Sequence, residues 1–196
     1  MSIQIPYITS PNDLPHHNTI LNGAPNFQNI FAASTEINAD WVKTAYQRGL
    51  FPWYSAGEPV LWHSPNPRMV VSLERFKWSP SLKKRLKQWA RSPEHDIRVT
   101  LNHAFEQVIA ACANTQRNGQ DGTWITPELT QAYVDLHHQQ HAVSVEVWQD
   151  DQLVAGLYGV LIGHMFFGES MFTYITDGSK VATARRVEYV GHKQCE

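Results

Sequence analysis

Residues 143–167 read VSVEVWQDDQLVAGLYGVLIGHMFF, and this run decides the fold. Val143-Ser144-Val145-Glu146-Val147-Trp148 alternates apolar and polar positions with the period of a strand. Gln149-Asp150-Asp151-Gln152 supplies turn formers and Leu153 to Ile162 resumes as a strand, so the pair reads as an antiparallel hairpin. His164 to Phe167 continues as a third strand, and Gly168-Glu169-Ser170-Met171-Phe172 leads away from it. Gly156 and Gly159 inside the second strand mark either a bulge or a close backbone approach by a ligand. Helical patterns flank this meander, which predicts an α+β fold.

Working back toward the N-terminus, Thr126-Pro127-Glu128 opens a helix carrying Leu129, Ala132, Tyr133 and Leu136, with Thr126 as its cap. The polar stretch Asn114 to Gly122 reads as a loop, Ala104 to Ala113 as a helix with Phe105, Val108, Ile109 and Cys112 inward, and Ile97 to Leu101 as a strand. Ser79-Pro80 starts a helix to about Trp89, with Leu82, Leu86 and Trp89 on one face and Lys83, Lys84, Arg85, Lys87 and Arg91 on the rest. Met69 to Leu73 is strand-like. Asn38-Ala39-Asp40 caps a helix through Trp41, Val42, Ala45 and Tyr46 that Gly49 stops. Residues 1–34 show no sustained periodicity and predict an irregular arm or a few short strands. At the other end, a helix begins near Ser179 and loses its apolar face after Ala182.

Length and composition bound the function. A chain of 196 residues buries a real core in one domain, or one domain with a smaller lobe. The net charge of −2 gives no global attraction for nucleic acid, so any such surface is local. Cys112 and Cys195 are too few for a disulfide framework, the N-terminus lacks a secretory pattern, and no apolar run reaches the roughly 20 residues of a membrane span. The expected compartment is the cytoplasm.

Candidate chemistry is sparse. His137 and His141 share a helical spacing used by metal ligands, but no third ligand or acidic general base accompanies them, and the pattern fits a polar helix end. Gly168-Glu169-Ser170 has only one of the glycines of a nucleophile turn, Cys112 lies on an inward face, and no phosphate-cradling glycine loop is present. The basic helix is either a solvated face or a ridge for phosphates. Trp41, Trp78, Trp89 and Trp148 read as core or rim, whereas Trp53, Trp62 and Trp124 sit beside turn signals, where stacking on a nucleobase would suit them. Glu169 follows a glycine at the end of an apolar strand, either solvated there or held in a pocket to bind an amine or adjust a proton.

Five separated segments then carry a resemblance: Ala45 to Ser55 (AYQRGLFPWYS), Trp62 to Arg68 (WHSPNPR), Gly122 to Thr126 (GTWIT), His141 to Trp148 (HAVSVEVW) and Phe167 to Phe172 (FGESMF). In this order they resemble the leucyl/phenylalanyl-tRNA–protein transferase family, from about residue 40 to 182. The resemblance implies an aminoacyltransferase that moves Leu or Phe, and less readily Met, from aminoacyl-tRNA onto the α-amino group of proteins beginning with Lys or Arg, marking them for N-end rule degradation. It implies a small N-terminal domain, here 1–66, and a larger domain similar to the GNAT acetyltransferase fold, here 67–182. Trp53 and Trp124 match residues that embrace the terminal adenosine, with Tyr46 and Tyr133 nearby. Leu157 and Phe166 match the side-chain pocket, Glu169 matches a carboxylate there and is the expected catalytic group, and Lys83, Lys84, Arg85 and Lys87 would hold the tRNA body. An aminoacyl ester is already activated, so no metal or organic cofactor is expected, and the partners are Leu-, Phe- and Met-tRNA and acceptor proteins, met by a soluble monomer.

Two departures from the family pattern are expected to matter. A Gly-rich stretch that usually precedes the first helix is replaced by Asn29 to Ile37. Family members also continue for several tens of residues beyond the position of Ala182, through a strand ending in Asp-Cys-Gln, whereas residues 183–196 read as an atypical, truncated or frame-shifted tail. The expectation is a sheet without its last strands and impaired folding or activity. The competing reading is a non-catalytic tRNA-binding remnant. A small-molecule acetyltransferase would need a glycine-rich pyrophosphate turn, and there is none.

Overall fold

The computed structural model describes residues 5–16, 29–72, 75–89, 97–115 and 123–193. Its strands and helices are, in chain order, β1 (Ile30–Ser34), α1 (Ala39–Gln47), β2 (Phe51–Pro52), β3 (Val60–His63), α2 (Pro80–Trp89), β4 (Ile97–Leu101), α3 (Phe105–Asn114), α4 (Pro127–His138), β5 (Ala142–Gln149), β6 (Gln152–Ile162), β7 (Met165–Thr173) and α5 (Gly178–Lys193). They form a three-stranded sheet of order β1-β3-β2 and a four-stranded sheet of order β4-β5-β6-β7, an α+β fold. The chain divides into two compact units, one of residues 1–68, 116–142 and 161–166, the other of residues 69–115, 143–160 and 167–196.

In the first unit, β3 pairs antiparallel with β1 (Ala32↔Trp62, Ser34↔Val60) and with β2 (Phe51↔His63, Pro52↔Trp62). Asn38 caps α1 as expected, its side-chain oxygen accepting from the Asp40 and Trp41 amides at 3.0 and 3.1 Å. Gly49 takes a positive φ of 79°, which lets the chain leave the helix and enter β2. Trp41 from α1 stacks on Trp62 from β3, with ring centroids 5.8 Å apart, and Trp62 donates its indole N–H to Ser34 Oγ at 3.0 Å. Trp62 is therefore fully buried, and the expectation that it offers a stacking face is corrected: its place on the inner face of β3 makes it core. The N-terminal arm bridges β1 at Tyr7–Ala33, and Arg48 of the α1 C-cap donates to the carbonyls of Asn12 and Leu14.

In the second unit, β4 pairs antiparallel with β5 from Ile97↔Gln149 to Leu101↔Val145. The β5–β6 turn uses Asp150 and Asp151, both at positive φ (50° and 61°), as a two-residue hairpin turn with right-handed strand twist demands. Gly156 is a place of close packing: a Cβ there would lie 3.0 Å from Phe172 and 3.1 Å from both Val108 and the Val145 carbonyl oxygen. That crowding comes from protein, so of the two readings offered for this glycine the ligand approach is not needed.

Three expectations need correction. β7 does not end at Phe167 but runs through Thr173, because Ser170 occupies a buried position in the alternation and hides its period from an apolar count. Glu169 accordingly sits within a strand, not at its end. The strand expected at Met69 to Leu73 is not present over 69–72, where Met69, Val70 and Val71 are 93, 72 and 65% exposed (Leu73 lies outside the described residues). A β-branched run fits a sheet only where another strand offers its edge, and no described strand pairs with it. The loop expected over 114–122 and Arg91 of the basic helix fall largely outside the described residues.

Candidate functional site

The first unit holds a pair of indoles at the ends of two loops. Trp53 leaves β2 with its amide donating to Leu61 O at 2.9 Å, and the His63 ring contacts the Trp53 carbonyl oxygen through Nε2 at 3.2 Å. Burial pushes the His63 pKa below its ordinary value, with the bond to Trp53 pulling the other way. A neutral ring carrying its proton on Nε2 makes this contact a hydrogen bond. The chain around Trp53 is thus pinned to β3 while its indole stays 46% exposed. Trp124 approaches from the segment before α4, and the two rings stack with centroids 5.5 Å apart and planes 12° from parallel.

One residue beyond Trp53, the buried Tyr54 hydroxyl lies 2.8 Å from Thr126 Oγ1. Thr126 also caps α4, its oxygen accepting from the Leu129 amide at 3.3 Å. Burial raises the Tyr54 pKa; the hydrogen bond to Thr126 opposes this and the charge of Glu128 adds to it. Tyr46 and Tyr133 are buried, and their hydroxyl oxygens lie 3.2 Å apart, joining α1 to α4. Sequence reasoning named four aromatic residues here, Trp53, Trp124, Tyr46 and Tyr133, and all four fall in this unit as two contacting pairs. It missed Tyr54, whose partner is 72 positions away.

The remaining expected residues distribute differently. Leu157 of β6 is buried, and Phe166 and Glu169 of β7 are half-buried. On α2, Lys83, Lys84 and Lys87 are exposed and line, with Pro80 and Gln88, a surface groove of about 500 Å³. Arg85 departs from this ridge. Its Nε lies 3.7 Å from Asp177 Oδ2, while Lys180 donates to Asp177 Oδ1 at 2.6 Å. The Lys180 hydrogen bond holds the Asp177 carboxyl below its ordinary range against burial, with the charges of Lys180 and Arg85 adding to it. His137 has Nδ1 2.9 Å from Ala142 O, and among the described residues no three His, Cys, Asp or Glu side chains converge.

A model of the leucyl/phenylalanyl-tRNA protein transferase matches residues 70–196, and one of its N-terminal domain matches residues 35–66. A leucyl/phenylalanyl-tRNA–protein transferase of Methylibium petroleiphilum is 47% identical over 184 residues, covering 93% of this chain and 69% of the relative. The chain belongs to the leucyl/phenylalanyl-tRNA–protein transferase family. Two further transferases bearing that name agree. That of Burkholderia cenocepacia is 44% identical over 192 residues (98% of this chain, 75% of the relative), and that of Bordetella avium is 47% identical over 191 residues (96 and 75%).

The transferase match covers the chain in two segments. It begins its second segment at residue 70, next to the end of the first stretch of unit one at residue 68. Unit one is nevertheless discontinuous, taking in 116–142 and so gathering Trp53 and Trp124. The match also runs to residue 196, and α5 continues through Thr183 as one helix with Ala182 and Ala184 buried.

Proposed function

We propose that this transferase moves leucine or phenylalanine, and less readily methionine, from aminoacyl-tRNA to the α-amino group of proteins beginning with Lys or Arg, in the cytoplasm and as a monomer, within N-end rule degradation. The observation that carries the reading is the Trp53–Trp124 pair, two loop indoles stacked on each other with the Trp53 main chain pinned on both sides. Such a pair is suited to a nucleobase, and the terminal adenosine of tRNA is the base nearest the reacting ester. Tyr46 and Tyr133 back this site by joining α1 to α4.

Residues 67–182 act as a GNAT-like domain. Leu157 and Phe166 line the side-chain pocket; an apolar pocket admits Met beside Leu and Phe because a methylene discriminates by only about 1–3 kcal/mol. Lys83, Lys84 and Lys87 neutralise phosphates of the tRNA body. In the reaction the acceptor amine attacks the ester carbonyl carbon, the tetrahedral intermediate collapses, and the ester C–O bond breaks. The amine loses a proton and the ribose oxygen leaves as a hydroxyl, so no oxidant, metal or cofactor is needed. An α-amino group has a pKa of about 8, so a fraction is already nucleophilic near neutrality. Glu169 orients that amine and takes up its proton. The principal barrier terms are positioning and stabilisation of the oxyanion.

The test is incubation with radiolabelled Leu-tRNA and a protein starting with Arg. Labelling of the acceptor is expected, reduced at least 10²-fold in Glu169→Gln on the scale of a lost general base. Absence of label with salt-sensitive tRNA binding retained would overturn transfer and leave a tRNA-binding module.

A further inference from the structure

Within the first unit the two loops that carry the indoles are joined, besides the ring stack itself, by a side-chain hydrogen bond between the Tyr54 hydroxyl and Thr126 Oγ1, 2.8 Å apart. We infer that Tyr54 is a positioning residue, whose hydrogen bond to Thr126 sets the relation of the Trp53 and Trp124 rings and so their affinity for a nucleobase. Each partner is adjacent or nearly adjacent to an indole: Tyr54 follows Trp53, and Thr126 lies two residues beyond Trp124, its amide donating to the Trp124 carbonyl at 3.1 Å. Both side chains are buried, so water does not compete for the bond. Thr126 is itself fixed, because the same oxygen caps α4. The Trp53 loop is therefore referred to the rigid start of a helix and not only to β3. Removing the hydroxyl leaves the Trp53 backbone attached to β3 and the two rings in contact, but takes away the hydrogen bond that refers the Trp53 loop to the start of α4.

The consequence for ligand binding rests on the proposed adenosine site, whereas the effect on the stacked rings does not. Stacked indoles give an exciton couplet in far-ultraviolet circular dichroism. The Trp41–Trp62 stack contributes one too, so the Trp53–Trp124 signal is taken as the difference from Trp53→Phe. Tyr54→Phe keeps the ring and removes only the hydroxyl. It is expected to diminish that difference signal and to weaken adenosine 5′-monophosphate roughly 2- to 10-fold, the scale of one hydrogen bond. Thr126→Ser keeps both the bond and the cap and should leave both readouts unchanged. An unaltered couplet in Tyr54→Phe, with unaltered nucleotide affinity, overturns the inference. If the wild-type chain fails to bind the nucleotide while Tyr54→Phe still loses the couplet, the adenosine reading falls and the positioning role stands.

Discussion

The indoles of Trp53 and Trp124 lie against each other, 5.5 Å between centroids and 12° from parallel. A base held between two rings needs roughly 7 Å between their planes, two aromatic contacts of about 3.5 Å each. At the proposed adenosine site, an adenine would therefore enter either by parting the rings or by stacking on the exposed outer face of Trp53. Both routes place the base against Trp53, and only the first places it against Trp124 as well.

Trp53→Ala should weaken binding of adenosine 5′-monophosphate by about 1–3 kcal/mol, measured by calorimetry, with little change in thermal unfolding because the ring is already half exposed. Trp124→Ala should weaken binding by as much if the base parts the rings and by less if it stacks on the outer face of Trp53. The double variant should fall short of the sum, since each ring is the other's contact. Full additivity would argue against a shared site.

The lysine ridge on α2 predicts a salt signature. Each of Lys83→Ala, Lys84→Ala and Lys87→Ala should reduce the slope of log K against log salt for tRNA by roughly 0.7–0.9, one released counterion per phosphate. Arg85→Ala should leave the slope nearly unchanged, because that guanidinium is turned to Asp177. A slope change as large for Arg85 as for the lysines would return Arg85 to the ridge.

Much of this architecture is legible in the chain because its signals are local. The caps Asn38 and Thr126, the stop at Gly49 and the Asp150-Asp151 hairpin turn each act within four residues of their own position. Signals depending on distant partners were not. Trp62 carries the same turn-rich surroundings as Trp53, yet its ring meets Trp41 and Ser34 and is core, while Trp53 projects from the loop. Met69, Val70 and Val71 have strand chemistry without a described strand to pair with, and Arg85 looks like its lysine neighbours until Asp177 is seen opposite. At the candidate site the indoles announced themselves by position, but their mutual stacking and the Tyr54–Thr126 bond join segments some seventy residues apart.

Protonation of His63 predicts a loss of stability on acidification. Burial depresses its pKa in the folded chain, so between that value and the unfolded value of about 6.5 the unfolded state binds more protons. Stability then rises with pH through this window, and the contribution is complete above about pH 6.5 and lost below it. His63→Gln keeps a donor for the Trp53 carbonyl but does not titrate. Urea unfolding followed from about pH 7 to about pH 5 should show a smaller decline in this variant than in the wild type. Equal declines would place the acid sensitivity elsewhere.

Glu146 gives the strongest expectation for folding. Its carboxylate, fully buried on β5, accepts from Thr100 Oγ1 at 2.6 Å, Ser144 Oγ at 2.5 Å and the Ala104 amide at 3.4 Å, and Thr100 in turn accepts from Trp148 Nε1 at 2.8 Å. Ala104 stands at the start of α3 and has no side chain to cap it, so Glu146 supplies from another strand both the acceptor and the negative charge that a helix N-terminus favours. Glu146→Ala strands these donors in a fully buried site and should cost about 2–5 kcal/mol, since each unsatisfied buried group costs about 1–3 kcal/mol and the losses overlap. Glu146→Gln keeps the shape and one acceptor, and the Thr100 and Ser144 hydroxyls can rotate to accept from its amide, so its cost should be clearly smaller. Urea denaturation separates the two. If the glutamine variant proved as unstable as the alanine one, the stabilisation would come from the negative charge at the start of α3 and not from the hydrogen bonds that the carboxylate accepts.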